Sequence, residues 1–215
     1  MVALRTEQSL TAAPKLPSYT ASDTELALLV VAATAGEESA MRQLIVAVAP
    51  VMIGATRRVM GNGHPDLEDA VQESSVGFLR ALAGYRSGCS VKHFASRIAT
   101  LTALTARRNR RNRDRFTAHD SLDETDTRSA EPDAVGLMVQ ERQRRALRRI
   151  LDELPEPQAE ALTLYAVLGW TVEEIAAASN APENTVRSRL RLAKDALRKR
   201  ITRDPRLGAE LGGPT

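Results

Sequence analysis

The stretch from Thr171 to Arg200 reads TVEEIAAASNAPENTVRSRLRLAKDALRKR, and its pattern predicts two helices joined by a short turn. Thr171 has Glu174 three positions after it, the spacing of a capping box, which predicts the start of a short helix. Asn180 and Pro182 predict the turn, because asparagine tolerates the left-handed conformation and proline fits the first turn of a new helix. The stretch is therefore predicted to be a helix-turn-helix.

The second of these helices has one apolar side. Its apolar residues recur at spacings of four, three and four, at Val186, Leu190, Ala193 and Leu197. Three polar residues lie outside that apolar side near the start of the helix, Arg187, Ser188 and Arg191. A recognition helix uses this part of its surface to contact base edges in a major groove. A solvated cationic face is the alternative explanation. The short first helix, the turn and the polar start of the second helix favour DNA binding.

Composition predicts an all-α protein. The chain has 215 residues, enough for one domain or two small ones, and only 3% of them are aromatic. The core must therefore be aliphatic, which favours packed helices over a sheet. The net charge is only +3, but basic runs lie at 107–115 and 187–200 with an acidic stretch between them. Two separated cationic surfaces suggest one polyanion that is contacted twice.

Several classes of site are not predicted. The single cysteine, Cys89, excludes an intramolecular disulfide and a cysteine-based zinc cluster, and it fits a reducing cytosol. His64, His93 and His119 lack metal-ligand spacing. No glycine-rich phosphate loop and no nucleophile–base constellation is present, which argues against an enzyme of nucleic-acid metabolism. We predict no catalytic residue, no metal and no cofactor.

The sequence also predicts a cytoplasmic protein without membrane insertion. The first residues carry charges and a proline that interrupt any signal-like apolar segment. The most apolar run, Leu44 to Ala55, is interrupted by Pro50 and is too short to span a bilayer.

The first half is predicted to be a helical domain, 22–115, after a disordered tail, 1–21. A capping box at Ser22 starts a helix that ends at Gly36, and a second helix runs to Met60, bent or divided by Pro50. A third helix runs from Pro65 to about Leu82, and a fourth from Val91 to Arg113, after a glycine-punctuated loop. The predicted apolar positions are Leu67, Val71, Ser75, Phe78 and Leu82 in the third helix and Phe94, Ile98, Leu101 and Leu104 in the fourth. The predicted exposed positions of the third helix are Asp66, Asp69, Gln72, Glu73 and Arg80.

The end of the fourth helix is rich in arginine, at Arg107, Arg108, Arg110, Arg111, Arg113 and Arg115. Cations suit the C-terminal end of a helix, so a solvated end would explain a few of them. The number exceeds what capping requires, which favours contacts with phosphates.

An acidic segment, 116–136, follows and is predicted to be a flexible linker between two domains. It serves as a spacer or, alternatively, occupies a cationic channel of a partner as a nucleic-acid mimic. The second domain, 137–203, is predicted to contain a helix ending at Leu154 before Pro155 and Pro157, a helix from Gln158 to Leu168, and the helix-turn-helix. Its predicted buried residues include Ala161, Leu162 and Tyr165, with Trp170 as a structural anchor. The last residues, 204–215, form a second tail.

These residues resemble a known family. From Asp23 to Ile201 the chain is similar to the extracytoplasmic-function, or group four, sigma factors of bacterial RNA polymerase. The segment LPEPQAEALTLYAVLGWTVEEIAAASNAPENTVRSRLRLAKDAL resembles the family's fourth region, which binds the promoter −35 element. The segment DLEDAVQESSVGFLRAL resembles the polymerase-binding helix of its second region.

The resemblance implies three sets of contacts and no cofactor. The −35 set is Glu183, Asn184, Thr185, Arg187, Ser188, Arg191 and Lys194. The −10 set is Tyr85, Arg86, His93, Phe94, Arg97, Arg107, Arg108 and Arg111, with the loop from Tyr85 to His93 holding a base flipped out of the DNA. The polymerase set is Asp69, Gln72, Glu73 and Arg80, which would dock on the clamp coiled coil of the largest subunit. Implied partners are the polymerase core at its clamp and flap, promoter DNA and, as a candidate, an anti-sigma factor.

Two positions depart from the family pattern. A tryptophan usually follows the phenylalanine that matches Phe94, and here the residue is Ala95, which predicts an aromatic-poor platform for DNA melting. Asn184 stands where the family often has glycine, which affects only local geometry.

The main rival function is a helix-turn-helix regulator that binds DNA without the polymerase core. It accounts for 171–200 but not for the acidic face of the third helix or for the arginine run. An inhibitor or adaptor that binds the polymerase and never reaches promoters is a further alternative, slightly favoured by Ala95.

Overall fold

The computed structural model describes residues 22–117 and 145–204 of the chain, and these residues form helices joined by short turns, without strands. The predicted all-α fold is confirmed. The predicted tails at 1–21 and 205–215 and most of the predicted linker lie outside the described residues. The fourth helix continues to Thr117, two residues into the predicted linker.

Four α-helices and one short 3-10 turn make up the first half of the described chain. They are α1 (Asp23–Thr34), α2 (Glu38–Met60), α3 (Leu67–Ala81), the 3-10 turn (Leu82–Gly84) and α4 (Val91–Thr117). The predicted capping box at the start of α1 is present, since the Ser22 hydroxyl accepts from the backbone N–H of Glu25 and the Glu25 carboxylate accepts from that of Ser22. The predicted glycine stop after α1 has Gly36 at φ 95°.

Helix α2 is continuous through Pro50, so of the two predicted effects of this proline, bending or dividing the helix, division is wrong. Pro50 is exposed, while Leu44, Val48 and Met52 on the other side are buried and hold both parts of the helix against the core. Helix α2 extends beyond the predicted apolar run from Leu44 to Ala55. Among the described helices it is the one long and apolar enough to cross a membrane, by length and composition alone. Several of its apolar side chains, among them Leu44, Val48 and Met52, are buried in the core of the first half.

The buried sides of α3 and α4 differ from those predicted. In α3 the buried residues are Ala70, Ser74 and Phe78, whereas the predicted Leu67, Val71 and Ser75 are half-buried. In α4 the deepest side is formed by Val91, Ala95, Ala99 and Ala103, and Phe94, Ile98 and Leu101 are only half-buried. Small side chains let the helices approach closely, and the larger apolar residues on which the predictions relied flank these contact lines.

Four helices lie in the described part of the second half, residues 145–204. They are α5, described over residues 145–151, α6 (Glu156–Ala166), α7 (Val172–Ser179) and α8 (Glu183–Arg203). Helix α5 ends three residues before the predicted Leu154. Helix α6 begins two residues before the predicted Gln158, because Pro157 lies in its first turn, where a missing N–H costs nothing.

The helix-turn-helix is confirmed in its details. The Thr171 hydroxyl accepts from the Glu174 N–H at 3.2 Å, and the Glu174 carboxylate accepts from the Thr171 N–H at 2.8 Å. Asn180 ends α7 in the left-handed conformation, with φ 49° and ψ 46°. Pro182 is the residue immediately before α8. The predicted apolar side of α8 is buried at Val186 and Leu190, in a cluster with Ile175 of α7 and Trp170, and at Ala193, in a cluster with Leu162 of α6. Leu197, the last residue of that side, is half-buried.

The two halves share an apolar cluster that no pattern in the sequence predicts. The first half contributes Val59, Met60, Ala70, Ala103 and Leu104, and the second half contributes Ala146, Ile150, Leu151, Leu154, Ala159, Leu162 and Ala193. In this structure the helices of the two halves are therefore packed against each other, with α4 in contact with both α6 and α7.

Replacing Thr171 with alanine removes the hydroxyl that caps α7. We expect the free energy of unfolding to fall by about 1 kcal/mol, since an N-cap hydroxyl contributes roughly 0.5–2 kcal/mol. Urea unfolding followed by circular dichroism measures this change. Thr202→Ala is the control, because its exposed hydroxyl bonds the Arg198 carbonyl inside α8 and caps nothing. Equal effects of the two substitutions would contradict a capping role for Thr171.

Candidate nucleic-acid interface

The N-terminal part of α8 presents polar side chains to solvent. Asn184, Arg187, Ser188 and Arg191 are exposed, as predicted. The Arg187 guanidinium contacts the Glu183 carboxylate at 2.6 Å and the Asn184 amide oxygen at 3.2 Å. Such exposed pairs within a helix are worth only about 0.3–0.5 kcal/mol, so bases or phosphates can replace them. Glu183 and Thr185 of the predicted −35 set are half-buried.

Tyr165 lies beside this surface, and its predicted burial is wrong. Its ring is on the solvent side of α6, and the Lys194 ammonium of α8 is 5.0 Å from the ring centroid. Together with Arg187 and Arg191 these residues line an open groove of about 300 Å³. The helical spacing could not reveal this, because Tyr165 follows the period of the buried side of α6 and only its phenolic group suggests solvent. The predicted −35 residue Lys194 thus faces the same groove as the two arginines.

Helix α3 presents a mixed face to solvent. The four predicted polymerase-binding residues, Asp69, Gln72, Glu73 and Arg80, are exposed. Val76 and Leu79 lie between them along the helix and are also exposed, at 43% and 36%. An apolar strip bordered by charges is typical of a surface that a protein partner covers. The structure thus brings this predicted set together on one helix face.

The aromatic residues of the predicted −10 set pack together rather than lining an open pocket. The Tyr85 and Phe94 ring centroids are 5.0 Å apart, and Phe94 also contacts the buried Phe78. The Tyr85 hydroxyl donates to the backbone carbonyl of Cys89. Burial raises the pKa of the Tyr85 hydroxyl and the pKa of the Cys89 thiol, so both groups are neutral at neutral pH. A protonated thiol is a weak nucleophile.

Ala95 does not belong to this aromatic group. Its side chain is fully buried in the core of the first half. In this structure the position faces the core rather than solvent, and the predicted aromatic-poor platform for DNA melting stays a prediction.

His93 and Trp170 join the two halves. Their ring centroids are 4.4 Å apart in an edge-on arrangement, and His93 Nε2 is 3.8 Å from a Glu174 carboxylate oxygen. Trp170 is only 8% exposed, which confirms its predicted role as an anchor. A cavity of about 330 Å³ next to this contact is lined by both halves, with Arg58 and Lys92 on the side of the first half.

Four arginines of the predicted −10 set lie on α4, and each contacts the second half. Arg97 Nε is 2.6 Å from Glu160 Oε1. Arg107 makes two bonds to the Asp152 carboxylate, at 3.0 and 2.7 Å. Arg108 donates to the Leu154 carbonyl at 2.9 Å and lies 3.7 Å from Glu156, and Arg111 is 3.2 Å from Glu153. The fifth arginine of the set, Arg86, lies in the loop before α4 and is exposed.

Two further arginines of the run, Arg110 and Arg113, bind the first half instead. Both contact the Asp66 carboxylate, at 3.2 and 2.9 Å. The prediction that Asp66 is exposed is wrong, since its side chain is 24% exposed between these two cations.

Burial, together with the nearby Arg107, lowers the pKa of His64 and keeps its ring neutral at neutral pH.

Both halves of the chain match known sequence families. Residues 44–113 match the family described as "Sigma-70 region 2", and residues 144–197 match "Sigma-70, region 4". Together these matches cover more than half of the chain.

Curated relatives cover most of the chain. The "ECF RNA polymerase sigma-E factor" of Salmonella typhimurium strain LT2 is 29% identical over 173 residues, which are 77% of this chain and 88% of that protein. The protein of the same name from Escherichia coli strain K12 is 28% identical over the same shares. The "ECF RNA polymerase sigma factor SigD" of Mycobacterium bovis is 29% identical over 175 residues, 80% of this chain and 81% of that protein.

Two solved structures are also similar. One is the sigma factor RpoE in complex with the anti-sigma factor NepR from Bartonella quintana, with 19% identity, a TM-score of 0.46, and coverage of 76% of this chain and 97% of that one. The other is CnrH in complex with the cytosolic domain of CnrY, with 21% identity, a TM-score of 0.47, and coverage of 82% and 97%.

Proposed function

This chain belongs to the extracytoplasmic-function sigma factors of bacterial RNA polymerase, and on that premise we propose which of its residues perform each step of promoter recognition. As a sigma factor it directs the polymerase core to specific promoters and takes part in initiating transcription there. It acts as a transcription factor rather than as a catalyst, and the polymerase performs the chemistry. We propose that it works in the cytoplasm, with the core and promoter DNA as partners. An anti-sigma partner stays a prediction.

The second half, 137–203, reads the −35 element with α8. The observation that supports this is the orientation of the helix: Val186 and Leu190 are buried, while Arg187, Ser188 and Arg191 face solvent beside a cationic groove. This is the side that a recognition helix turns toward the major groove. Arginine can bond guanine bidentately, and each such contact contributes roughly 1–3 kcal/mol of discrimination. Glu183, Asn184, Thr185 and Lys194 surround this side.

The first half, 22–115, docks on the polymerase with α3. Asp69, Gln72, Glu73 and Arg80 supply charged and polar contacts, and the exposed Val76 and Leu79 supply apolar area. Charges at the edge of such a surface mainly set the rate and specificity of association, whereas the apolar centre supplies affinity.

The −10 element binds along α4 and the loop before it. Arg97, Arg107, Arg108 and Arg111 neutralise phosphates of the DNA strand, and Tyr85, His93 and Phe94 stack on its bases, with Arg86 beside them. A flipped base costs a few kcal/mol of unstacking, which these contacts offset.

A helix-turn-helix regulator that needs no polymerase is not favoured. The match of residues 44–113 to sigma-70 region 2 lies in the half that such a regulator would not need.

Replacing both Arg187 and Arg191 with alanine removes the proposed base contacts. We expect transcription from the chain's own promoters to fall at least tenfold, since the loss of even one contact costs about 1–3 kcal/mol. Run-off transcription with reconstituted holoenzyme on genomic fragments measures this loss, and a pull-down should find core binding unchanged. The control is Arg42→Ala with Arg57→Ala, the same change in charge at exposed positions of α2. Loss of core binding in the α8 variant would contradict this division of labour.

Reversing Asp69 and Glu73 to lysine changes the charge of the proposed docking face. We expect weaker association with the polymerase core and an unchanged thermal unfolding midpoint, because both side chains are exposed. Competition with the wild-type chain for core polymerase measures the affinity. The matched control carries Asp23→Lys and Glu38→Lys on α1 and α2. A docking variant that competes as well as its control would rule out this face.

A further inference from the structure

We infer that the cavity of about 330 Å³ between the two halves binds a small phosphate monoester, with its phosphate beside Arg58 and its apolar body against Trp170. Promoter recognition gives this cavity no ligand, and the inference goes beyond the proposed function. Ligand-binding cavities in proteins have volumes of about 300–1,000 Å³, so this cavity suits a ligand at the small end of that range.

The first argument is the charge of the cavity lining. Arg58 of α2 and Lys92 of α4 line the cavity, and no acidic residue is found among the described residues that line it. Glu174, whose carboxylate is 3.8 Å from His93 Nε2, is not one of the lining residues. A phosphate monoester carries a charge of about −1.5 to −2 at neutral pH, and arginine matches the geometry of its oxygens. The lining therefore favours an anion of this class.

The second argument is a buried hydroxyl at the cavity wall. Ser96 of α4 is only 5% exposed and lines the cavity. Within residues 22–117 and 145–204, no hydrogen bond joins its side-chain hydroxyl to another group of the protein. Buried hydroxyls in folded proteins are as a rule hydrogen-bonded, so this one is available to a bound molecule. A phosphate oxygen can accept a bond from it.

The third argument is the row of residues that α2 presents to the cavity. Pro50, Gly54 and Arg58 follow one another at intervals of four, which places them on one side of the helix, and all three line the cavity. Proline and glycine are the two residues that least favour the interior of a helix. A Cβ built at Gly54 meets no described atom within 4 Å, so close packing does not require glycine there. The missing side chain instead keeps the cavity open.

The fourth argument is the apolar part of the lining. Leu168 and Trp170 of the second half line the cavity together with Val51 and Ala55 of α2. Cavities that bind small molecules combine apolar walls with a few polar groups that orient the ligand. Because burial of apolar surface favours binding, a phosphate with an apolar body should bind more tightly than a bare phosphate ion.

A ligand in this cavity contacts both halves of the chain. It therefore binds more tightly while the halves are packed together, and by linkage it stabilises that packing. His93 lines the same cavity and belongs to the proposed −10 set, so the ligand and a −10 base compete for this side chain. That competition rests on the proposed function, whereas binding of the ligand does not.

The test is the binding of phenyl phosphate to the full-length chain, measured by isothermal titration calorimetry. Inorganic phosphate and phenol are the comparison ligands, since each carries one of the two parts of the probe. We expect saturable binding of phenyl phosphate, about tenfold tighter than that of either comparison ligand or better. The fluorescence of Trp170, the single tryptophan of the chain, should change in the same titration. Absence of saturable binding, or an equal affinity for inorganic phosphate, would overturn the inference.

Replacing Arg58 with alanine removes a cation from the cavity. We expect phenyl phosphate to bind about tenfold more weakly, because a bond to a charged group is lost. The matched control is Arg57→Ala, since this neighbouring arginine is also exposed but does not line the cavity. The control should bind as the wild type does. Equal affinities of the two variants would show that the anion is attracted by surface charge alone and would refute the site.

Replacing Gly54 with leucine fills the cavity from the side of α2. We expect the affinity for phenyl phosphate to fall at least about tenfold while the thermal midpoint measured by circular dichroism does not fall, because leucine favours a helix more than glycine does. Gly84→Leu is the matched control, since a Cβ at Gly84 also meets nothing within 4 Å and Gly84 lies outside the cavity lining. A folded Gly54→Leu chain that binds phenyl phosphate as tightly as this control would contradict the proposed location of the ligand.

Discussion

The contact between α4 and the second half is the constraint on which the rest of the structure depends. One side of α4, at Ala95 and Ala99, lies in the core of the first half. Farther along the helix, Ala103 and Leu104 join the apolar cluster shared with the second half, and Arg107 contacts Asp152. A single helix is thus a structural element of one half and a binding surface for the other. Because the same arginines are assigned to promoter phosphates, the helix has two alternative partners and cannot hold both.

The kinds of bond in this contact suit two halves that must separate when the arginines of α4 bind DNA. A buried ion pair gains little net stability, because desolvation offsets most of the attraction. Exchange of a carboxylate for a phosphate retains the charged bonds of Arg97 and Arg107, so opening on DNA does not leave these cations unpaired. The apolar contacts of Leu104 are the part that separation exposes to water, and their cost falls on whichever partner opens the chain. The exposed face of α3 is accessible to the polymerase core while the two halves are in contact, so the core is the partner positioned to supply this free energy.

Much of the fold could be predicted from local sequence signals, whereas the contacts between residues far apart in the sequence could not. The capping box at Thr171, the left-handed Asn180 and the apolar side of α8 depend on neighbours within a few positions, so their spacing is visible in the sequence. The row of buried alanines along α4 could not be predicted from the sequence, because alanine occurs both in cores and on surfaces. The helical spacing predicts that Tyr165 is buried, yet its ring is exposed to solvent and lies beside the Lys194 ammonium of α8. The bonds from α4 to Asp152 and Glu160 join residues with no periodic relation, so the arginine run predicted phosphate contacts but not its internal partners.

The separation of the two halves is the quantity that tests this account most directly. Dyes attached at Arg42→Cys and Arg198→Cys in a Cys89→Ser background report it by single-molecule energy transfer, since both sites are exposed and lie in different halves. The account predicts one high-transfer population for the free chain and a low-transfer population once polymerase core and promoter DNA are bound. A free chain that already shows the low transfer of the promoter complex would contradict it.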